Sequence, residues 1–177
     1  MHVYVVLLRG VNVGGHNKVK MSALREALSA SGFCDVRTYI QSGNIVLTSS
    51  KTAPQISDIV ARCLKMDFNV SAPVLTLSFK VLSKILNEAP FDGDPSRVML
   101  YFRYQRLDAD FDDGPFQTLK LPGDQVRVGW DVNYFHAPDG IDRSKLAERM
   151  DRLVPAQLTA RNVRTSRALL GLAGRPS

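Results

Sequence analysis

The sequence predicts an α+β protein built from two plait-like halves, and three observations carry that prediction. An apolar run over residues 2–8 is typical of a strand that is buried on both faces. Strand and helix periodicities then alternate as βαββαβ as far as Ser78, which is the ferredoxin-like arrangement. A looser β-α-β-β-α order follows. We therefore predict a first subdomain with its linking helix over 1–90 and a second α+β subdomain with basic C-terminal helices over 96–177.

The elements of the first half carry clear start and stop signals. Glycine and proline mark their ends, apolar residues at helical spacing mark the helices, and period-2 alternation marks the exposed strand. The predicted elements are the strand 2–8, a helix from Met21 that ends before Gly32, a strand over 36–41, a Ser42-Gly43 turn, a strand over 45–48, a helix opened by Pro54, and a strand over 73–78.

The second half gives weaker signals in a similar order. Its residues match those of the first half too poorly to establish an internal duplication. The predicted elements are a helix capped by Ser78 and stopped by Pro90, a strand over 98–104, a short helix over 111–119, a hairpin of 125–129 with 132–136, and helices over 143–153 and 161–172.

Composition indicates an ordinary globular protein. Of its 177 residues, 45% are hydrophobic and 23% are charged, and no apolar run reaches the ~18 residues of a membrane span. The opening residues predict a strand and not a secretion signal. Cys34 and Cys63 form no C-x-x-C motif, so we expect two reduced thiols. Together these features predict a cytoplasmic protein that does not bind a membrane.

The positive charge is concentrated near the C-terminus. Residues 143–177 hold eight basic side chains against Glu148 and Asp151, which accounts for the whole net charge of +6. Such a segment favours an acidic partner, and the alternative is a solvated basic surface without a ligand. The basic residues are Arg143, Lys145, Arg149, Arg152, Arg161, Arg164, Arg167 and Arg175.

Seven motifs are spread in order over nearly the whole chain. They are Arg9-Gly10-Val11-Asn12-Val13-Gly14-Gly15, Asn17-Lys18-Val19-Lys20-Met21, Thr38-Tyr39-Ile40-Gln41-Ser42-Gly43-Asn44, Pro90-Phe91, Pro138-Asp139-Gly140-Ile141, Ser144-Lys145-Leu146 and Thr159-Ala160-Arg161-Asn162. In these seven motifs the chain resembles the mostly bacterial family catalogued as domain of unknown function 1697. The resemblance implies an α+β fold of two plait-like subdomains and brings no established activity. Val163 departs from the tryptophan usual there.

The glycine-rich stretch after the first strand is the first candidate site. Gly10 and Gly15 have the spacing of a phosphate loop, but the Lys-Ser/Thr pair that should follow is missing. Arg9 and Lys18 flank this turn at a helix start, which favours an anion, and Asn12 would add directional hydrogen bonds. The alternative is a structural loop with solvated lysines.

The second strand and its turn form a second polar patch. Tyr39 and Gln41 lie on the polar face of the strand, and Ser42 and Asn44 lie at its turn. We expect this turn at the end of the sheet opposite the glycine-rich loop, so that the two patches flank the sheet. For Ser42 and Asn44 we favour a turn held by hydrogen bonds to its own backbone.

The third candidate site combines residues near the starts of the last two predicted helices. Hydroxyl groups at helix starts with cations beside them suit a phosphate or a carboxylate. The alternative for the arginine is a salt bridge to Asp139 or Asp142. The candidate residues are Ser144, Lys145, Thr159, Arg161 and Asn162.

Motifs for other functions fail, and no cofactor or metal is predicted. The acidic segment 108–114 resembles a calcium-binding loop, but its glycine is one position late and the bidentate glutamate is missing. No residue is proposed as a nucleophile or a general base, so enzyme activity is not assigned. The leading hypothesis is binding of a small anionic ligand such as a nucleotide or a phosphorylated metabolite. The alternatives are nucleic-acid backbone binding through the basic segment and a non-catalytic protein-interaction module.

Overall fold

The computed structural model describes residues 1–174 and divides the chain into two compact units. The first unit contains residues 1–84 and 167–174, and the second contains residues 85–166. Each builds a four-stranded antiparallel sheet, which confirms the predicted α+β class with two plait-like halves. This division into compact units does not test whether residues 1–90 and 96–177 fold as separate subdomains, so those limits stay a prediction.

The first unit has the predicted order βαββαβ, and its strands lie in the order β2-β3-β1-β4. A further helix, α3 (Phe79–Asn87), follows β4, and the hydroxyl of Ser78 accepts a hydrogen bond from the backbone amide of Val81, as predicted. The elements of the plait are β1 (His2–Leu8), α1 (Met21–Ala30), β2 (Cys34–Tyr39), β3 (Asn44–Ser49), α2 (Ala53–Phe68) and β4 (Val74–Ser78).

Helices α1 and α2 cover one face of the first sheet. Alternate side chains of the central strand β1 and its neighbour β3 pack with the buried stripes of both helices in one apolar cluster. Helix α2 starts with the predicted proline in its first turn, and Gln55 accepts a hydrogen bond from the backbone amide of Thr52 at 3.0 Å. The buried stripes include Leu24, Leu28, Ile56, Val60 and Leu64.

The second unit repeats the order βαββαβ, with its strands in the order β6-β7-β5-β8. The predicted strand β5, the hairpin of β6 with β7 and the helix α5 are confirmed. The elements are β5 (Val98–Arg103), α4 (Gly114–Leu119), β6 (Gln125–Val128), β7 (Val132–His136), a 3₁₀ turn (Ile141–Arg143), α5 (Lys145–Leu153) and β8 (Leu158–Asn162), followed by α6 (Val163–Ala173).

Two helix predictions for the second half need correction. The helix predicted over 161–172 begins at Val163, because residues 158–162 pair along β5 as the edge strand β8. The apolar alternation of this strand is confined to Leu158 and Ala160, a run too short to indicate a strand by itself. The helix predicted over 111–119 begins only at Gly114, whose backbone amide donates to the carboxylate of Asp112 at 2.9 Å. Within residues 1–174, no helix is both long and apolar enough to cross a membrane.

Candidate functional site

The loop after β1 and the turn between β2 and β3 meet at one edge of the first sheet. Strands β1 and β2 each pair antiparallel with β3, so they run parallel to each other and end at the same edge. The expectation that the loop and the turn lie at opposite ends of the sheet was therefore wrong. The two polar patches of the first half form one surface, which we call the first-unit loop edge (residues 9–20 and 40–43).

The side chain of Asn12 ties the two parts of this edge together. Its amide nitrogen donates to the carbonyl oxygen of Gln41 at 2.8 Å and to that of Val19 at 2.9 Å, and its amide oxygen accepts from the backbone amide of Val19 at 2.8 Å. Asn12 has φ +57°, a conformation that asparagine tolerates better than most residues. These bonds hold the loop in shape, so the Asn12 amide already has backbone partners.

The β2–β3 turn approaches β1 at Gly43. The carbonyl oxygen of Gly43 accepts a hydrogen bond from the backbone amide of Leu8 at 2.8 Å, and a Cβ added to Gly43 would lie 2.6 Å from the Cβ of Leu8. Gly43 also has φ +73°. The amide of Asn44 donates to the hydroxyl of Ser42 and to the carbonyl oxygen of Tyr39. The favoured interpretation of Ser42 and Asn44 as turn-holding residues is thus confirmed.

The loop edge presents positive charge and backbone donors. Residues 9–20 contain three Lys or Arg side chains and no acidic one; Lys18 and Lys20 are exposed, and Arg9 is half-buried. Within the described chain, the backbone amides of the exposed Gly14 and Gly15 have no hydrogen-bond acceptor. Helix α1 has no side-chain N-cap and no acidic residue in its first turn. Such a loop favours an anion over a cation.

The two other predicted residues of the first unit lie beside this loop. Tyr39 is the last residue of β2 and is half-buried, and Gln41 lies in the turn with an exposed side chain. The first unit therefore brings together five of the predicted residues at one sheet edge. They are Arg9, Asn12, Lys18, Tyr39 and Gln41.

Two predicted residues of the second unit cap helices. The hydroxyl of Ser144 accepts a hydrogen bond from the backbone amide of Ala147 at the start of α5, and it donates to the buried carboxylate of Asp124 at 3.4 Å. The side-chain oxygen of Asn162 accepts from the backbone amide of Thr165 at 2.8 Å, at the start of α6. Both side chains thus satisfy backbone donors that their helices leave open.

Arg161 lies in strand β8 and not at a helix start. Strand alternation gives Arg161 the sheet face opposite Leu158 and Ala160, which pack with α5, so its side chain lies away from Ser144 and the exposed Lys145. Its guanidinium donates to the hydroxyl of Thr159 at 3.2 Å and to the backbone carbonyl oxygen of Ala160 at 2.7 Å. Burial lowers the pKa of Arg161 to about 10.

Arg103, a buried cation at the end of β5, was not among the residues predicted from the sequence. Arg103 is 6% exposed, and its guanidinium donates to the side-chain oxygen of Asn133 and to the carbonyl oxygens of Gly129 and Trp130. Burial lowers the pKa of Arg103. A sequence signal was available, because five apolar residues, 98–102, lead directly into this arginine. A charge at that position is costly unless it is paired.

The basic C-terminal segment is mostly solvated. The side chains of Arg143, Arg149, Arg152 and Arg167 are exposed, and Arg164 forms an ion pair with Asp94 at 3.2 Å. Arg175, which the charge analysis included, lies outside the described residues. Residues 1–174 contain no group of three or more His, Cys, Asp or Glu side chains that could hold a metal ion.

Comparisons with known proteins agree with the motifs. A family model described as "Protein of unknown function (DUF1697)" matches residues 1–134. Among solved structures, a conserved bacterial protein, SP0830 from Streptococcus pneumoniae, is 25% identical, with 97% of this chain and 98% of that one covered and a TM-score of 0.78. The comparison with curated proteins found no match. The resemblance is confirmed, and the chain belongs to the DUF1697 family of proteins of unknown function.

Proposed function

We propose that the protein binds a small phosphorylated ligand, such as a nucleotide or a phosphorylated metabolite, at the first-unit loop edge. The observation that supports this proposal is the combination, in one exposed loop, of unpaired backbone amides with exclusively basic charged residues. Phosphate oxygens would accept hydrogen bonds from Gly14 and Gly15, and the cations of Lys18 and Lys20 would neutralise the charge. Arg9, Tyr39 and Gln41 would border the ligand, while Asn12 would keep the loop in its binding conformation.

The four predicted residues of the second unit receive no ligand contact in this proposal. Ser144 and Asn162 already bond to helix amides, Arg161 lies on the other sheet face from α5, and Lys145 is a single exposed cation. We also propose a cytoplasmic location. The free thiols support it, because an exposed Cys34 suits a reducing compartment.

A thermal-shift screen at low salt tests the proposal on the whole protein. The compounds are ATP, AMP, pyrophosphate and a sugar phosphate, with adenosine and the free sugar as uncharged controls at matched ionic strength. A ligand at ~100 times its dissociation constant should raise the free energy of unfolding by about 2.7 kcal/mol. Stabilisation by phosphate compounds, without stabilisation by their uncharged counterparts, is the expected result.

Two charge-matched variants separate a site from general attraction. Lys18→Gln should weaken binding of the best phosphate compound several-fold, because its cation leaves the loop. Lys65→Gln, which changes another exposed lysine in the last turn of α2, should leave the affinity unchanged. Equal losses in the two variants, or no shift with any phosphate compound, would contradict the proposal. Shifts with oligonucleotides alone that vanish with added salt would favour the nucleic-acid alternative instead.

A further inference from the structure

A cavity of about 310 Å³ opens in the second unit beside the buried Arg103. The end of β5, the loop that follows it and the turn between β6 and β7 form its walls. The size is that of a small organic ligand and not of a single water molecule. The side chains along it include Arg103, Leu107, Ala109, Phe111, Val128 and Trp130.

Among the residues that the structure describes, Arg103 donates no hydrogen bond to a carboxylate, although the charge of Asp131 acts on it and offsets part of the lowering of its pKa by burial. All its hydrogen-bond acceptors are neutral, and within residues 1–174 no carboxylate lies close enough to form an ion pair with it. The Nε of Arg103 and the amide nitrogen of Asn133 beside it are buried without an acceptor from the described residues. A buried charge and unpaired buried donors are both energetically costly. An anionic ligand beside Arg103 would reduce that cost.

Apart from Asp108, the other side chains of the wall are apolar or aromatic. Leu107, Phe111 and Val128 are half-buried at the margin of the second-unit core, and the Trp130 side chain is 70% exposed. The guanidinium of Arg106 lies 4.9 Å from the centre of the Trp130 ring. An exposed tryptophan that contacts an arginine and lies beside apolar side chains offers a surface for a ring or a branched hydrocarbon.

The charges near the cavity limit how negative its ligand can be. Asp108 is exposed and also lines the cavity, while the carboxylate of Asp131 lies 3.5 Å from the guanidinium of Arg106. Arg106 is thus paired with Asp131, and solvent screens the exposed Asp108, so the buried Arg103 is the cation of this region that has no ion pair within the described residues. A single carboxylate on Arg103 suits this balance, whereas Asp108 would repel a polyphosphate.

We propose that this cavity is a second binding site, distinct from the first-unit loop edge, for a small apolar monocarboxylate. Its carboxylate accepts hydrogen bonds from Arg103, and its hydrocarbon or aromatic body lies against Leu107, Phe111 and Trp130. The ligand class therefore differs from the phosphorylated compound proposed for the first unit, and neither proposal depends on the other.

The fluorescence of Trp130 gives a direct test, because Trp130 is the only tryptophan of the chain. The whole protein is titrated with benzoate, cyclohexanecarboxylate, the neutral isostere benzamide, and inorganic phosphate. We expect saturable changes with the two carboxylates, binding of benzamide that is at least about tenfold weaker, and no change with phosphate. No response to either carboxylate would overturn the proposal, and so would equal affinities for benzoate and benzamide.

Two variants then locate the binding. Ala109→Leu fills the cavity from an exposed loop position without touching Arg103, and Asn133→Asp gives Arg103 a carboxylate from the protein itself. Each should weaken benzoate binding about tenfold or more. Lys145→Gln, which changes an exposed cation of the same unit outside the cavity wall, should bind benzoate as the original protein does. Unchanged benzoate affinity in a folded Ala109→Leu protein would overturn the proposal. Lys18→Gln should leave the Trp130 signal unaffected, which separates this site from the phosphate site.

Discussion

The ends of β1 and β5 occupy the same position in two sheets of the same strand order, yet they carry opposite kinds of side chain. The backbone amide of Leu8 donates to the carbonyl oxygen of Gly43 at 2.8 Å, and that of Arg103 donates to the carbonyl oxygen of Asp131 at 3.1 Å. In each case the acceptor belongs to the turn that enters the third strand of the plait. Leu8 and Arg103 are therefore equivalent residues.

The difference between them decides where charge resides. In the first unit an apolar residue fills the buried position, and the charge falls one residue later on Arg9, from which the loop carries its cations outward. In the second unit the charge occupies the buried position itself, and a cavity opens beside it. A shift of one residue along a strand thus separates an exposed cationic loop from a buried cationic cavity in the same topology.

The largest expected effect tests how closely the turn approaches β1. Gly43→Ala should lower the free energy of unfolding by about 2–4 kcal/mol, because it adds a steric clash with Leu8 to the cost of a positive φ. Gly10→Ala is the matched control: its φ is +68°, but its added Cβ would meet nothing within 4 Å. Urea unfolding measures both. Equal decreases of the free energy of unfolding in the two variants would show that the turn has room for a Cβ atom beside Leu8.

The next effect tests Asn12 as the link across the first-unit loop edge. Asn12→Ala removes three hydrogen bonds and should cost about 2–3 kcal/mol, since each such bond contributes about 1 kcal/mol. Asn17→Ala is a suitable control, because Asn17 also has a positive φ but its side chain makes a single exposed bond, to the carbonyl oxygen of Gly10. Similar losses in the two variants would contradict the special role of Asn12.

The fold was largely predictable because its signals are local. Apolar runs, glycine at positive φ and proline in a first turn indicate elements without knowledge of their partners. Strand β8 was not predictable in this way, because its alternation includes only two apolar residues, and its pairing with β5 is what makes Leu158–Asn162 extended. Its neighbour Val163 then begins the helix that the pattern had placed two residues earlier.

The sites were less predictable, because they depend on strand direction and on burial. The five predicted residues at or beside the first-unit loop edge were identified from residue type, but their meeting at one edge follows from the pairing of β1 and β2 with the same strand. The cavity could not be predicted without knowing which charged side chain is buried. Arg9 and Arg103 both follow apolar strands, and only the structure shows that Arg103 is inside.

A third prediction tests whether Arg103 is an unpaired buried charge. Asn133→Asp replaces an amide that has an unpaired nitrogen with a carboxylate beside the guanidinium, and it should raise the free energy of unfolding by about 1–2 kcal/mol at neutral pH. Asn133→Ala should instead be destabilising, because the guanidinium loses an acceptor. Urea unfolding of the two variants gives the comparison. If Asn133→Asp were the less stable of the two, Arg103 would not need a counter-ion.

The smallest effect concerns the helices that start after the two loops. Lys20 precedes α1 and Asp113 precedes α4, and neither forms a side-chain cap. Lys20→Asp should stabilise the protein by about 1 kcal/mol, because aspartate caps the helix and suits its dipole. The same change places a carboxylate where we propose that phosphate binds, so pyrophosphate affinity should fall about tenfold or more.

Lys20→Ser separates the two consequences of that change, since serine caps the helix without adding a negative charge. It should give a similar gain in stability and a smaller loss of pyrophosphate affinity, measured by calorimetric titration at fixed ionic strength. Unchanged pyrophosphate affinity in Lys20→Asp would mean that the start of α1 receives no phosphate. The cationic loop of the first unit would then be a solvated surface, and the contrast between the two edges would reduce to the cavity beside Arg103.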